Sequence, residues 1–90
     1  MKLKEGFIIR EIMDEFLVVP TGERVADFNA LISLNKTGAV LWQALAEEKQ
    51  EAELAKILLN EFEVDEATAA KDTAAFLEIL RENELVVENE

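Results

Sequence analysis

The spacing of apolar residues changes at Asn35, and this change divides the chain into two kinds of segment. Residues 28–34, just before it, roughly alternate between two sets of side chains, which is the pattern of a strand with one buried face. Leu41, Trp42 and Leu45, just after it, follow at the spacing of a helix. The pattern therefore predicts strands before Asn35 and helices after it.

Two further strand segments precede residues 28–34. Residues 7–13 and 16–19 are rich in β-branched and aromatic side chains, and Asp14 with Glu15 separates them, which predicts a hairpin. Residues 20–27 contain the only proline of the chain and one of its three glycines, so they are predicted to form a loop.

Three helices are predicted in the remainder. Asn35 and Asp65 are favourable N-caps for helices over residues 36–46 and 66–82. One continuous helix from residue 36 to residue 62 is disfavoured. In such a helix the nine steps from Leu45 to Leu54 would rotate by roughly 900°, or two and a half turns, so Leu54 would face away from the apolar stripe that contains Leu45. A break is therefore expected near residues 48–50. Residues 85–87 close the chain as a short extended tail.

This order of elements is typical of a small winged helix-turn-helix-like domain. The expected fold is α+β, with a three-stranded antiparallel sheet followed by three helices. A chain of 90 residues is too short for two independent cores, so residues 1–90 are predicted to form a single domain. The apolar fraction of 50% is sufficient for a folded core and is higher than in disordered chains.

The composition excludes several classes of function. The chain has no Cys and no His, so it lacks disulfides, thiolate nucleophiles, imidazole bases and the usual ligands of zinc, haem and iron–sulfur clusters. We expect no catalytic residues and no cofactor. The net charge of −11 disfavours binding to nucleic acid. The apolar runs are too short for a signal peptide or a membrane span, so a cytoplasmic protein is expected.

The acidic clusters are assigned to solvated surfaces. One cluster lies at a helix boundary and contains Glu47, Glu48, Glu51 and Glu53. A second pair, Asp14 and Glu15, lies in the predicted hairpin turn. A metal site or an acid–base pair would need converging, enclosed carboxylates, so no metal site is expected.

The segment from Leu34 to Leu45 carries the most specific motif. Its sequence, LNKTGAVLWQAL, resembles the LNxTGxxxWxxL signature of the PqqD-like family. The resemblance covers nearly the whole chain, with similar segments at residues 4–7, 10–11, 18–20, 62–65 and 76–86. It departs in two turns: relatives have a glycine turn where this chain has residues 47–50, and often a glycine where it has Glu84. Asn83 is expected to take the left-handed position instead, because Asn tolerates it better than Glu.

The resemblance implies a non-catalytic peptide chaperone in the maturation of ribosomally synthesised, post-translationally modified peptides (RiPPs). Such a RiPP recognition element binds the leader of a precursor peptide and presents the peptide to a modifying enzyme, commonly a radical SAM protein. In the family, the leader adds as a strand to the edge of the third strand and lies between that strand and the third helix. An exposed strand edge has unpaired N–H and C=O groups that suit this mode of binding.

The resemblance also implies positions for the peptide-binding residues. The edge contacts would be Phe28, Asn29, Ala30, Leu31, Ile32 and Ser33. The opposite wall would be one side of the third helix, at Lys71, Asp72, Ala75 and Ile79. Ile32→Pro is expected to abolish leader binding by removing an N–H group from the edge.

Structural interpretations of the same features stay open. The edge of the third strand could be covered by residues 20–27 or by the tail. Trp42 is favoured as a core residue over a platform for a ligand. Asn35, Thr37 and Gly38 are explained by capping and close helix packing. The alanines of the third helix are interpreted first as helix formers and second as a groove floor.

Alternative functions also stay open. A winged-helix transcriptional regulator is disfavoured, because residues 65–83 contain five acidic and two basic residues, the opposite of a helix that faces phosphates. A homodimeric adaptor could pair the edge of the third strand with the same edge of a second copy. An autonomous enzyme is the least favoured class, since the chain lacks His, Cys, Tyr and a phosphate-binding glycine loop.

Overall fold

The structure is a computed structural model that describes residues 1–88 of the chain. The strands in this part are β1 (Lys2–Leu3), β2 (Phe7–Ile12), β3 (Glu15–Pro20), β4 (Ser33–Leu34) and β5 (Val86–Val87). The helices are α1 (Arg24–Asp27), α2 (Lys36–Ala44), α3 (Glu51–Glu61) and α4 (Glu66–Glu82).

The three-stranded antiparallel sheet has the order β2-β3-β4, which confirms the predicted α+β architecture. β2 and β3 form the predicted hairpin. Met13 and Asp14 at its tip both have positive φ, at 50° and 70°, as a two-residue turn between right-twisted strands requires. In β3 only Val18 is fully buried, and it belongs to the core beneath the sheet.

The three long helices begin where the sequence predicts. The side-chain oxygen of Asn35 accepts a hydrogen bond from Gly38 N–H at 2.9 Å, and that of Asp65 accepts one from Thr68 N–H at 2.7 Å. The break between α2 and α3 is also confirmed, and α3 begins with a capping box formed by Gln50 and Glu53. Both N-caps satisfy backbone donors that would otherwise lack a helical partner.

One core joins the sheet to the helices. Trp42, with 5% of its surface exposed, is a core residue as predicted. The core residues that are almost fully buried are Leu41, Leu45, Leu54, Leu58, Leu77, Leu80 and Leu85. The break at residues 45–50 therefore brings the apolar stripes of α2 and α3 into the same core.

The third strand is much shorter than predicted. Only Ser33 and Leu34 are in strand β4, opposite Leu17 and Phe16 of β3. Residues 28–32 are outside regular secondary structure, so their alternation does not correspond to a long strand.

The reason for the short strand lies in the segment before it. Part of the predicted loop forms α1, and the N–H of Phe28 donates to the carbonyl oxygen of Arg24 at 3.0 Å. The ring of Phe28 packs edge-on against Phe7, with 4.9 Å between ring centroids. These contacts hold Phe28 at the start of β2 rather than in line with β4.

A second, two-stranded sheet was not predicted. The tail forms β5, which pairs antiparallel with β1 through the pairs Lys2↔Val87 and Leu3↔Val86. The N–H of Lys4 also donates to Leu85 O at 2.9 Å. Local periodicity cannot identify this pairing, because its partners lie at opposite ends of the chain.

The left-handed position at the end of α4 is Glu84, with φ of 55°, so the expectation for Asn83 is wrong. Asn83 has φ of −103°. The N–H of Leu85 donates to Leu80 O and that of Glu84 to Arg81 O, which is a Schellman motif. This motif places the positive φ one residue after the cap, and it joins two fully buried leucines, Leu80 and Leu85.

Helix α2 ends at Ala44, two residues before the predicted end. No helix within residues 1–88 combines the length and the apolar character needed to cross a membrane.

Candidate functional site

A groove of about 490 Å³ lies between β4 and α4. The hairpin tip and the start of α2 also border it. Its lining residues are Asp14, Glu15, Ser33, Leu34, Asn35, Thr37, Gly38, Asp72, Ala75, Phe76 and Ile79.

The strand side of the groove is a sheet edge with which no other strand of residues 1–88 pairs. β4 is the last strand in the order β2-β3-β4. Val18 N–H donates to Ile32 O at 3.0 Å, so the backbone of Ile32 faces β3. Successive residues of a strand direct their N–H and C=O groups to opposite sides, and Ser33 is therefore oriented away from β3. The polar backbone groups of Ser33 are available to an added strand.

The helix side of the groove is one stripe of α4. Asp72, Ala75, Phe76 and Ile79 lie at spacings of three and four and share this side. Phe76 is 5% exposed, and Ile79 is 37% exposed. Because Ala75 has a small side chain, α4 leaves room beside it, and the wall is mainly apolar.

The start of α2 forms a third border. Asn35 Oδ1 accepts hydrogen bonds from the Thr37 hydroxyl and from Gly38 N–H, both at 2.9 Å. A Cβ at Gly38 would lie 3.2 Å from the Cβ of Leu34, which is tighter than ordinary contact. This close approach is the packing role predicted for Gly38, and it fixes α2 against β4.

The acidic residues of the groove do not form a metal site. Glu15 Oε1 accepts a hydrogen bond from Ser33 Oγ at 2.7 Å, which links β3 to the edge strand. Among the residues described, no three acidic side chains lie close enough together to hold a metal ion. The arrangement is suited to binding through backbone groups, apolar contacts and negative charge.

The groove contains four of the ten residues that the resemblance implied as peptide contacts: Ser33, Asp72, Ala75 and Ile79. Lys71 is exposed on α4 but outside the lining. Phe28 packs on Phe7, Ile32 is 6% exposed in the core, and neither lines the groove. The remaining three, Asn29, Ala30 and Leu31, are exposed beside the edge and also lie outside the lining.

Several lining residues were not assigned to the site from the sequence. Phe76 was assigned to the core stripe, and the structure places it at both the core and the groove. From the sequence, Asn35, Thr37 and Gly38 were assigned to capping and packing only. Their place in the motif, directly after the third strand, was the sequence feature that could have indicated that they line the groove. The pairing of β3 with β4, which no local pattern specifies, brings Asp14 and Glu15 to the groove.

Two solved structures are similar to the chain over almost its full length. One, described as "TbiB1 in Complex with the TbiA(beta) Leader Peptide", has a TM-score of 0.74 and 24% identity, and the match covers 100% of this chain and 99% of the other. The second, described as "Lasso peptide synthetase B1 complexed with the leader peptide", has a TM-score of 0.69 and 24% identity, with 97% and 96% covered. These likenesses establish the fold.

Comparison with curated proteins gives no significant match. The family model for coenzyme PQQ synthesis protein D (PqqD) matches residues 16–86, from the second strand of the hairpin to β5. This range includes all but two of the residues that line the groove, Asp14 and Glu15. The chain therefore belongs to the PqqD family.

Proposed function

We propose that the groove binds the leader of a ribosomally synthesised precursor peptide as an additional strand on β4. The observation that carries this proposal is the outward orientation of the Ser33 N–H and C=O groups beside the apolar side of α4. A strand added to this edge gains main-chain hydrogen bonds, and its alternate side chains gain contacts with the helix. A disordered leader can adopt this extended form on binding.

The comparisons support a leader peptide as the ligand. The two similar solved structures named above are described as complexes with leader peptides. The groove of this chain offers an edge strand facing a helix, as the family resemblance implies for the bound leader.

We infer that residues 1–90 act as one non-catalytic recognition domain in the cytoplasm and present the bound peptide to a modifying enzyme. A radical SAM protein is the enzyme class that the resemblance implies. The charge of α4 opposes the alternative of a DNA-binding regulator, because Lys71 and Arg81 are outnumbered by five acidic residues within residues 65–83. The absence of Cys and His in the sequence supports a binding role over a catalytic one.

Ser33, Asp72, Ala75 and Ile79 are proposed to contact the peptide directly. Leu31 is 87% exposed next to the edge, so a peptide longer than β4 would cover it as well. We propose no direct side-chain contact for Ile32, because its side chain is buried beneath the sheet.

The test is a selection of peptides from a random display library on the purified protein. Peptides of about 10 residues are long enough to form a strand. Binding is then compared in the Ser33→Pro and Ser33→Ala variants. Ser33→Pro removes the outward N–H, whereas Ser33→Ala retains it and removes only the side-chain bond to Glu15.

The expected result is a set of peptides that bind the native protein and Ser33→Ala but bind Ser33→Pro about two- to tenfold more weakly, as the loss of a main-chain hydrogen bond at a fixed edge predicts. Equal binding to both variants would place the peptide elsewhere. Sedimentation of the free protein tests the homodimer, since pairing of two β4 edges would give a dimer that a bound peptide dissociates.

A further inference from the structure

The groove carries negative charge that its own residues do not neutralise. Asp14, Glu15 and Asp72 contribute carboxylates to the lining, which contains no Lys or Arg. Within residues 1–88, none of the three forms an ion pair with a basic side chain. Glu15 does accept the hydrogen bond from Ser33. A ligand in this groove therefore meets unneutralised carboxylates next to an apolar wall.

Asp72 is the carboxylate placed on that wall. It is half-buried and lies on the same side of α4 as Phe76 and Ile79. Partial burial reduces the screening of a charge by solvent, so a cation that contacts Asp72 gains more than one that contacts a fully exposed carboxylate.

The spacing along α4 matches the repeat of a strand. Asp72 and Phe76 are four residues apart, which is about 6 Å along the helix axis. Two residues of extended chain span about 6.6 Å and direct their side chains to the same side. A strand that runs along α4 would therefore place side chains i and i+2 beside Asp72 and Phe76.

The basic residues of the chain do not pair with these carboxylates. Lys36 and Lys71 adjoin lining residues in the sequence, but within residues 1–88 neither forms an ion pair with Asp14, Glu15 or Asp72.

The basic residues near the N-terminus lie elsewhere. Lys2, Lys4 and Arg24 line a separate cleft with β5. That cleft is near the C-terminal end of α2, because Leu3, which lines it, donates its N–H to Leu45 O. The groove is at the opposite, N-terminal end of α2. The nine-residue helix α2 is about 13 Å long, which exceeds the Debye length of about 8 Å at physiological ionic strength.

We propose that the groove selects a cationic, amphipathic strand. In this strand a Lys or Arg side chain contacts Asp72, and an apolar side chain two positions away in the sequence contacts Phe76 and Ile79. The inference rests on the proposed function, because it specifies the chemistry of the peptide that the groove binds.

The test uses the random display library with three forms of the protein: the native chain, Asp72→Lys and Glu78→Lys. Glu78 is an exposed acidic residue of α4 that does not line the groove, so Glu78→Lys changes the net charge by the same amount as Asp72→Lys. Only peptides that lose binding when Ser33→Pro is added to the form that selected them are analysed, and these are called edge-dependent peptides. Thermal unfolding of each variant verifies that it is folded.

The native protein is expected to enrich peptides with Lys or Arg two positions from an apolar residue. Asp72→Lys is expected to reverse this preference to Asp or Glu, and Glu78→Lys to leave it unchanged. For one selected peptide, Asp72→Asn should weaken binding about two- to fivefold, the range for a partly exposed ion pair. This milder variant also serves if Asp72→Lys does not fold.

Edge-dependent peptides without a basic residue at this spacing would overturn the inference and leave the proposed function intact. The inference would also be overturned if Glu78→Lys changed the charge of the selected peptides as much as Asp72→Lys does. The net charge of the protein, and not Asp72, would then determine which peptides bind. Recovery of no edge-dependent peptide would overturn the proposed function itself. Association of a selected peptide should also slow as salt is raised, because the attraction is electrostatic.

Discussion

Val18 N–H donates a hydrogen bond to Ile32 O at 3.0 Å, and this bond determines which way the edge strand faces. Because the backbone of Ile32 faces β3, the backbone of the next residue, Ser33, faces outward. The functional edge therefore depends on a register between β3 and β4 that involves very few residues.

Proline substitutions at the two positions should have different effects on stability. Ile32→Pro is expected to lower the free energy of unfolding by about 3 kcal/mol or more, because it disrupts the inward backbone and replaces a buried side chain. Ser33→Pro should cost about 1 kcal/mol or less, since Pro is tolerated at an edge where its missing N–H faces solvent. Urea unfolding of both variants measures the difference.

The expectation that Ile32→Pro would test leader binding is therefore revised. A loss of binding in that variant would follow from damage to the sheet and core. Equal destabilisation by both prolines would contradict the assigned orientation of β4.

The N-cap of α4 should make stability depend on pH. Hydrogen bonds from Thr68, first of all from its backbone N–H, hold the pKa of Asp65 below its ordinary value of 3.8. A lowered pKa in the folded state means that the carboxylate stabilises the fold above the unfolded pKa, and that this contribution is lost as pH falls through the folded pKa. Asp65→Asn keeps a good cap without the titrating group.

Urea unfolding of the native protein and Asp65→Asn between pH 7 and about pH 2 tests this expectation. The difference in stability between the native chain and Asp65→Asn should begin to change as pH falls towards 3.8, and it should change further as pH falls through the lowered pKa of the folded state. A stability difference that is constant over the whole range would show that the charge of Asp65 makes no contribution.

The pairing of the two chain ends should contribute to stability. Lys4 N–H donates to Leu85 O at 2.9 Å, next to the β1–β5 pair. Lys4→Pro removes this donor and should lower the free energy of unfolding by about 1–3 kcal/mol. Lys4→Ala retains the donor and should change stability by less than about 0.5 kcal/mol. If the two variants are equally stable, the hydrogen bond has no measurable role.

The hydroxyl of Thr73 is expected to be a stability defect. Thr73 is fully buried in α4, and its Oγ1 has no hydrogen-bond partner among the residues described. Thr73→Val keeps the β-branched shape and removes the polar atom, so it should raise the free energy of unfolding by about 1 kcal/mol. Thr73→Ser, which keeps the hydroxyl and loses the methyl group, should lower it. Chemical unfolding that shows no gain for Val would indicate that the hydroxyl is satisfied in solution.

The sequence by itself determined the helical part of this protein. Asn35 and Asp65 each stand at the junction between an extended segment and a helical run, so each is recognisable as an N-cap. The half-turn offset between the apolar stripes that contain Leu45 and Leu54 requires a break between the two helices. These features depend on residues within a few positions of each other, so local patterns are sufficient to predict them.

The motif at residues 34–45 carried the family resemblance, which implied a groove between the third strand and the third helix. The motif's own residues Asn35, Thr37 and Gly38 were assigned to capping and packing, although they also line the groove.

Only the tertiary structure decided the length of β4, the pairing of β1 with β5 and the composition of the groove. The contact of Phe28 with Phe7 delays the start of the third strand to Ser33, and the Schellman motif after α4 places Glu84 in the left-handed conformation. The pairing of β3 with β4 brings Asp14 and Glu15 into the groove beside α4. Each of these outcomes depends on packing or pairing between residues far apart in the chain or on backbone geometry at a helix end, which residue periodicity does not encode.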